Sequence, residues 1–203
     1  MIELRKALTI IFDFIQENEK VLDVGCGNGE LLNALLRMKK VDCRGIELSQ
    51  DGVNNCVEKG LSVIQGDANF DLSDYPNSIF NTVILSQTIH AMLSPKDVIK
   101  DLIRIGKKAI ISFPNFGYWS CRAQIIFNGQ MPVTKDLKLP WYDTQNIHLC
   151  TIKDFNNLIR EMNLKIDRKF GINNQKLLSF PYNLISLNLF ASHAVFLVSK
   201  NTK

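Results

Sequence analysis

The residues able to do chemistry in this sequence are a glycine-rich run and three acids. Asp23-Val24-Gly25-Cys26-Gly27-Asn28-Gly29 puts a carboxylate two residues ahead of three glycines at alternate positions. Glycines reach torsions denied to other residues and let the main chain approach a ligand closely. Dinucleotide loops space theirs G-x-G-x-x-G and seat a pyrophosphate at a helix N-terminus. Here the third glycine comes one residue early. Asp23 would repel a pyrophosphate and attract a sulfonium or an α-ammonium, so the ligand implied is cationic and NAD fits poorly. Glu47 follows the loop by about 20 residues, the position from which a carboxylate accepts ribose hydroxyls. Asp67, next to Gly66, is placed to accept the exocyclic amine of adenine.

These groups need strands behind them, and the apolar pattern supplies them. Leu4, Leu8, Ile11 and Ile15 recur at helical spacing, and the buried strand Val21–Val24 follows. Leu31, Leu32, Leu35 and Leu36 predict the inward face of the next helix. Strands are expected at Cys43–Glu47, Ser62–Gln65, Thr82–Ser86 and Ala109–Phe113, with a helix marked by Val53, Cys56 and Val57 after the first of these. Ser94-Pro95-Lys96-Asp97 is a helix start, and Gly106 stops that helix. Thr151 and Asp154 form a capping-box pattern ahead of Phe155, Leu158, Ile159 and Met162. Late strands are expected near Leu164–Phe170 and Ala194–Ser199, joined by a loop-like link, Gly171–Ser192, which favours antiparallel insertion of the last strand. Alternating strands and helices predict a largely parallel sheet covered on both faces. All three acids then lie at the tips of adjacent strands, where such sheets bind ligands. That constellation fits S-adenosylmethionine or its product S-adenosylhomocysteine.

Composition narrows the class. At 203 residues, 46% hydrophobic and 22% charged, the chain supports one globular domain, 1–203. A net charge of +4 is too small and scattered for a nucleic-acid stripe. Its densest basic group, Arg37, Lys39, Lys40 and Arg44, falls at a helix C-terminus, where cations complement the dipole. The five cysteines, at 26, 43, 56, 121 and 150, show no zinc or redox spacing, so a reduced, cytoplasmic setting is expected. Cys26 reads as a small packed residue. No cluster suggests a metal. Leu8–Ile15 is broken by Asp13, so no signal peptide is expected. Leu177–Phe190 contains Pro181, Asn183 and Asn188 and does not read as a membrane span.

Val21–Leu32, Gly45-Ile46-Glu47 and Gln65-Gly66-Asp67 resemble the signature of class I S-adenosylmethionine-dependent methyltransferases. Ile84–Thr88, Ser112–Gly117, Gln130–Lys135 and Trp141–Thr151 are similar to the methionine biosynthesis protein MetW family, over about Val21 to Phe155. Phe80-Asn81 departs from the usual Phe-Asp and loses an acid. The resemblance implies an α/β, Rossmann-like class I methyltransferase fold of seven strands, order 3-2-1-4-5-7-6, with the last strand antiparallel. It implies a role in methionine biosynthesis beside a homoserine O-acyltransferase. It implies a cofactor wall of Asp23, Gly25, Cys26, Gly27, Gly29, Glu47, Leu48, Gly66, Asp67, Ala68, Ser86 and Gln87.

Whether methyl transfer to a small-molecule acceptor occurs stays open, because a sulfonium is an activated leaving group and the protein need only orient the nucleophile and exclude water. Ser86-Gln87-Thr88-Ile89 is not the Asn-Pro-Pro-Tyr type of amino-methylating enzymes, and no Pro-Cys pair follows the fourth strand. An acceptor site would draw on Ser86, Gln87, His90, Asn115, Phe116, Tyr118 and Trp119. The 115–150 segment, read as a lid, would roof it with Trp141, Tyr142, Asn146 and His148. His90, His148 and Tyr142 are the catalytic candidates. His193 lies beside the last expected strand, with no role assigned.

Overall fold

The computed structural model describes residues 4–134, 137–144, 146–178 and 183–201; Lys135, Gln145 and Pro181 of the motifs above lie outside them. β1 (Lys20–Val24) pairs in parallel with β2 (Asp42–Glu47) on one side and β4 (Phe80–Ser86) on the other. β3 (Val63–Gln65) extends the sheet beyond β2, and β5 (Gly106–Pro114) beyond β4. β8 (His193–Lys200) runs antiparallel between β5 and β6 (Leu164–Asn173). The order is β3-β2-β1-β4-β5-β8-β6-β7, so the last strand inserts as expected.

The eighth strand was not expected. β6 runs on to Asn173 and turns back through Asn174 and Gln175, both at positive φ (47° and 60°), into the two-residue β7, Lys176–Leu177. Such hairpins usually advertise themselves by glycine, and this one has none. The link before β8 is also not all loop. It holds a helix, Leu184–Phe190, whose capping residue Asn183 accepts from the Ser186 N–H.

Both faces are covered. Lys6–Phe14 (α1), Glu30–Lys39 (α2) and Gln50–Glu58 (α3) lie on one side, where Leu8, Ile11, Leu31, Leu35 and Cys56 meet Val21, Ile84 and Ile110. Pro95–Ile105 (α4) and Ile152–Glu161 (α6) lie on the other, where Val98, Leu102 and Phe155 meet Leu22, Leu85 and Ile111. Between them come a short α5 (Trp119–Ala123) and a π-helical turn, Gln124–Asn128; Leu184–Phe190 is α7. Strands buried on both faces explain the unbroken apolar runs of the sequence.

Several local expectations need adjusting. Leu36 is exposed, because Ala34 completes the buried stripe of α2. Ser94 does not cap α4 through its side chain; its Oγ donates to Asp97 instead, at 2.6 Å. Lys39 serves a neighbouring helix, donating to the Phe12 and Ile15 carbonyls at the end of α1 (2.6 and 2.7 Å). Thr151 and Asp154 do form a capping box. Asn81, in place of an acid, accepts the Lys20 N–H at the start of β1 (2.8 Å). Among the described residues no helix is long and apolar enough to cross a membrane.

Candidate functional site

Strand order reverses between β1 and β4, so the loops leaving their carboxyl ends diverge and open a cleft. The glycine loop turns there because the N–H groups of Gly25 and Cys26 both donate to the Ile46 carbonyl (2.8 and 3.2 Å). Gly25, Gly27 and Gly29 all have positive φ. At Gly27 a Cβ would meet nothing within 4 Å, so the crest of the loop faces open space. Gly29 differs. A side chain there would run into Leu61 and Cys56, so this glycine seats α2 against α3. The Cys26 sulfur turns back towards Gly45, and burial, with Asp23 nearby, pushes its thiol pKa up, which leaves it protonated and packed.

The three acids are in different states. Glu47 Oε2 accepts the Gly27 N–H at 2.7 Å and Oε1 the Ser49 N–H at 2.9 Å, so this carboxylate braces the loop. Asp67 Oδ1 accepts the backbone and side-chain N–H groups of Asn69 (2.8 and 2.7 Å). Asn69 in turn accepts the Leu93 N–H at 2.8 Å. Asp23 is only 3% exposed, and its buried Oδ1 meets no donor. Burial, with Glu47 adding repulsion, raises its pKa from 3.8 to about 7. A buried polar atom without a partner is uncommon and costly.

The cleft has two connected chambers. One, about 320 Å³, holds Asp23, Gly25, Cys26, Gly27, Ser86 and Gln87. The other, about 680 Å³, holds Glu47, Leu48, Gly66, Asp67 and Ala68. They share Gly25, Gln87 and Thr88. Of the twelve residues expected along this wall, all but Gly29 line one chamber or the other. Gln87 stands at the junction with φ +60°, its N–H donating to Ser112 at 2.9 Å. A non-glycine residue held left-handed costs of order 1–2 kcal/mol, and such strain gathers at functional sites. Thr88 was missed. Its hydroxyl donates to the Ser86 carbonyl (2.9 Å) and its side chain fills the space that Gly25 leaves, a pairing no local pattern announces.

The acceptor residues separate. His90 lines the larger chamber, is buried, has an unpartnered Nδ1, and is pushed down to about 4 by burial and by His193. Its carbonyl accepts the N–H groups of Ile147 and His148 (2.9 Å each), fastening that segment over the cleft. Thr144, Asn146 and Ile147 form the roof. The side chain of His148 lies outside it, against Leu93 (3.4 Å), and Trp141 and Tyr142 project outward, 71% and 70% exposed. Asn115 is a structural tie. Its Nδ2 donates to the Asn188 and Ala191 carbonyls (2.9 and 2.8 Å), and its Oδ1 accepts the Gly117 and Ile152 N–H groups (2.9 and 3.1 Å). Phe116 faces an adjoining apolar cavity of about 260 Å³, also lined by Trp141, which shares Thr144, Asn146 and Ile147 with the larger chamber. Tyr118 donates to Asn173 (3.3 Å), and Trp119 is half exposed. Of the described residues in the 115–150 segment, Trp141 and Tyr142 thus turn away from the cleft, and Thr144, Asn146 and Ile147 turn in.

Comparison with known proteins agrees with this fold. A family model described as methionine biosynthesis protein MetW matches residues 5–198. A relative from Rhodopirellula baltica, the bifunctional methionine biosynthesis protein MetXA/MetW, is 31% identical over 168 residues, covering 78% of this chain and 27% of that protein. The chain spans 27–37% of the length of the curated relatives it matches. Among solved structures, a SAM-dependent methyltransferase from Archaeoglobus fulgidus aligns with a TM-score of 0.66 at 19% identity, over 98% of this chain and 95% of that one. A cyclase, SpnF, aligns with a TM-score of 0.67 at 16% identity, over 98% and 82%. At such identities the likeness shows the fold alone, which hosts more than one chemistry.

Proposed function

The chain belongs to the methionine biosynthesis protein MetW family, and from that premise we propose that it binds S-adenosylmethionine or S-adenosylhomocysteine in the strand-tip cleft and acts with a homoserine O-acyltransferase. The observation that carries the cofactor reading is the buried Asp23 Oδ1 without a donor, beside the open crest at Gly27. An α-ammonium supplies both the missing hydrogen bond and the opposite charge. Glu47, held by two backbone donors, keeps lone pairs for ribose hydroxyls. Asp67, at the far end of the larger chamber, accepts the adenine amine. A diphosphate would meet three carboxylates instead.

The partner reading rests on the Rhodopirellula baltica relative, whose single chain carries both the MetXA and MetW names. The surface we assign to it is the exposed apolar pair on the π-helical turn, Ile126 (74% exposed) and Phe127 (83%), since exposed apolar patches mark interaction sites. Calorimetric titration with S-adenosylmethionine, S-adenosylhomocysteine and adenosine diphosphate tests the cofactor. Binding of the first two and not the third is expected, and tighter binding of the diphosphate overturns the reading. Purified homoserine O-acyltransferase should co-elute with the protein and change in activity on its addition; neither effect would leave the partner reading without support. A second reading, methyl transfer to a small molecule, is favoured by a further chamber beside Ser86 and Gln87. Transfer of labelled methyl to an extract component, with no effect on the acyltransferase, would select it.

A further inference from the structure

A cavity of about 220 Å³ adjoins the Asp23 chamber and shares Arg5, Leu8, Ser86 and Gln87 with it. Its remaining polar walls are Lys138, Gln175 and His193. Charge is sorted across the shared wall. Asp23 and Glu30 line the inner chamber, and Glu47 and Asp67 the one beyond. Among the described residues lining the outer cavity there is no carboxylate, and two are cations. Arg5 stands on the boundary. Its guanidinium lies 3.6 Å from Glu30 with both side chains exposed, a pairing too weak to fix it there.

We infer that this outer cavity binds a small organic anion, a carboxylate of about seven heavy atoms by its volume, and that it distinguishes a methylated from a demethylated adenosyl ligand in the adjoining cleft. The inference rests on the cofactor reading above. With adenine towards Asp67 and ribose at Glu47, the sulfur end of the ligand lies in the Asp23 chamber, against the Ser86–Gln87 wall. In S-adenosylmethionine that sulfur is a cation and adds a third positive charge beside Arg5 and Lys138. In S-adenosylhomocysteine it is a neutral thioether and adds none. One unit charge a few ångströms away in a partly desolvated cavity changes affinity by roughly tenfold, and the coupling is reciprocal. The outer anion and the methyl donor therefore hold each other in place, and loss of the methyl releases both. A methyl acceptor bearing a carboxylate and a regulatory anion share this chemistry.

The probe is malonate, with its neutral diamide malonamide as control, titrated into the full chain alone and saturated with either adenosyl compound. Malonate should bind about tenfold more tightly with S-adenosylmethionine than with S-adenosylhomocysteine, and malonamide not at all. Lys138→Gln, an exposed position, should weaken malonate about tenfold whichever adenosyl compound is bound. Equal malonate affinity with both adenosyl compounds, equal binding of malonamide, or indifference to Lys138→Gln overturns the inference. If neither adenosyl compound binds, the cofactor reading fails and the sensing inference falls with it, while malonate binding lost in Lys138→Gln would still mark an anion site.

Discussion

Asp23 and Asn115 stand in matching places, one near the end of β1 and the other just past β5, and both are almost wholly buried. The fold treats them in opposite ways. Every hydrogen-bonding group of the Asn115 side chain is used, tying the end of β5 to the start of α6 and the end of α7. Asp23 is left with an oxygen that meets nothing and a raised pKa. A satisfied buried polar group holds the chain together; an unsatisfied one is a cost that only a ligand removes.

The largest effect should come from the satisfied member. Asn115→Ala removes four hydrogen bonds and orphans their backbone partners, which should cost about 3–5 kcal/mol and lower the melting temperature by roughly 10 °C. Denaturant and thermal unfolding measure this. A loss under about 1 kcal/mol would mean that water replaces the tie and that the contrast with Asp23 is overdrawn.

Asp23→Asn should act with the opposite sign. The folded pKa of about 7 lies above the ordinary 3.8, so between these values the folded state holds a proton that the unfolded chain releases. The contribution of Asp23 to stability is therefore intact below about pH 4 and is lost as pH rises through 7. Removing the charge should stabilise the ligand-free protein by about 1–3 kcal/mol at pH 8 and flatten that part of the pH profile. The same change should weaken S-adenosylmethionine by about 10- to 100-fold. Wild-type affinity should rise with pH up to about 7 and then level. Thermal scans and calorimetry at pH 5, 6, 7 and 8 separate these outcomes. A variant less stable than wild type at pH 8 would show that Asp23 is already satisfied.

The two residues also differ in how legible they were. Asp23, Glu47 and Asp67 each stand near or just past the end of an expected strand, so local pattern places them at strand tips and topology alone brings them together. The same spacing could not separate Gly27, open to the cleft, from Gly29, which packs on Leu61 and Cys56. Asn115 also follows an apolar run, which made it look like an acceptor-site residue. Apart from Gly117, its partners lie 37 to 76 residues away, and nothing near it in sequence marks them. The outer cavity was hidden for the same reason, since Arg5, Lys138 and His193 come from three distant segments. Aromatic content pointed to Trp141 and Tyr142 as a roof. The structure instead turns Thr144, Asn146 and Ile147 inward, because the His90 carbonyl fixes the main chain at Ile147 and His148.

The smallest effect on stability should come from a third kind of unfinished surface. Ile126 and Phe127 sit on the π-helical turn, a geometry frequent at functional sites, and project into solvent. Apolar side chains that bury nothing contribute little to folding, so the double substitution Ile126→Ser with Phe127→Ser should change stability by less than about 0.5 kcal/mol. Because a serine pair cannot bury the area that an isoleucine and a phenylalanine offer, the same variant should lose co-elution with homoserine O-acyltransferase while keeping its affinity for S-adenosylmethionine. A fall of several degrees in melting temperature would mean that the turn packs against its own domain and belongs with Asn115. Unchanged stability with unchanged co-elution would put the partner's surface elsewhere. Only loss of the partner alone would place the turn with Asp23, among features the isolated chain leaves incomplete.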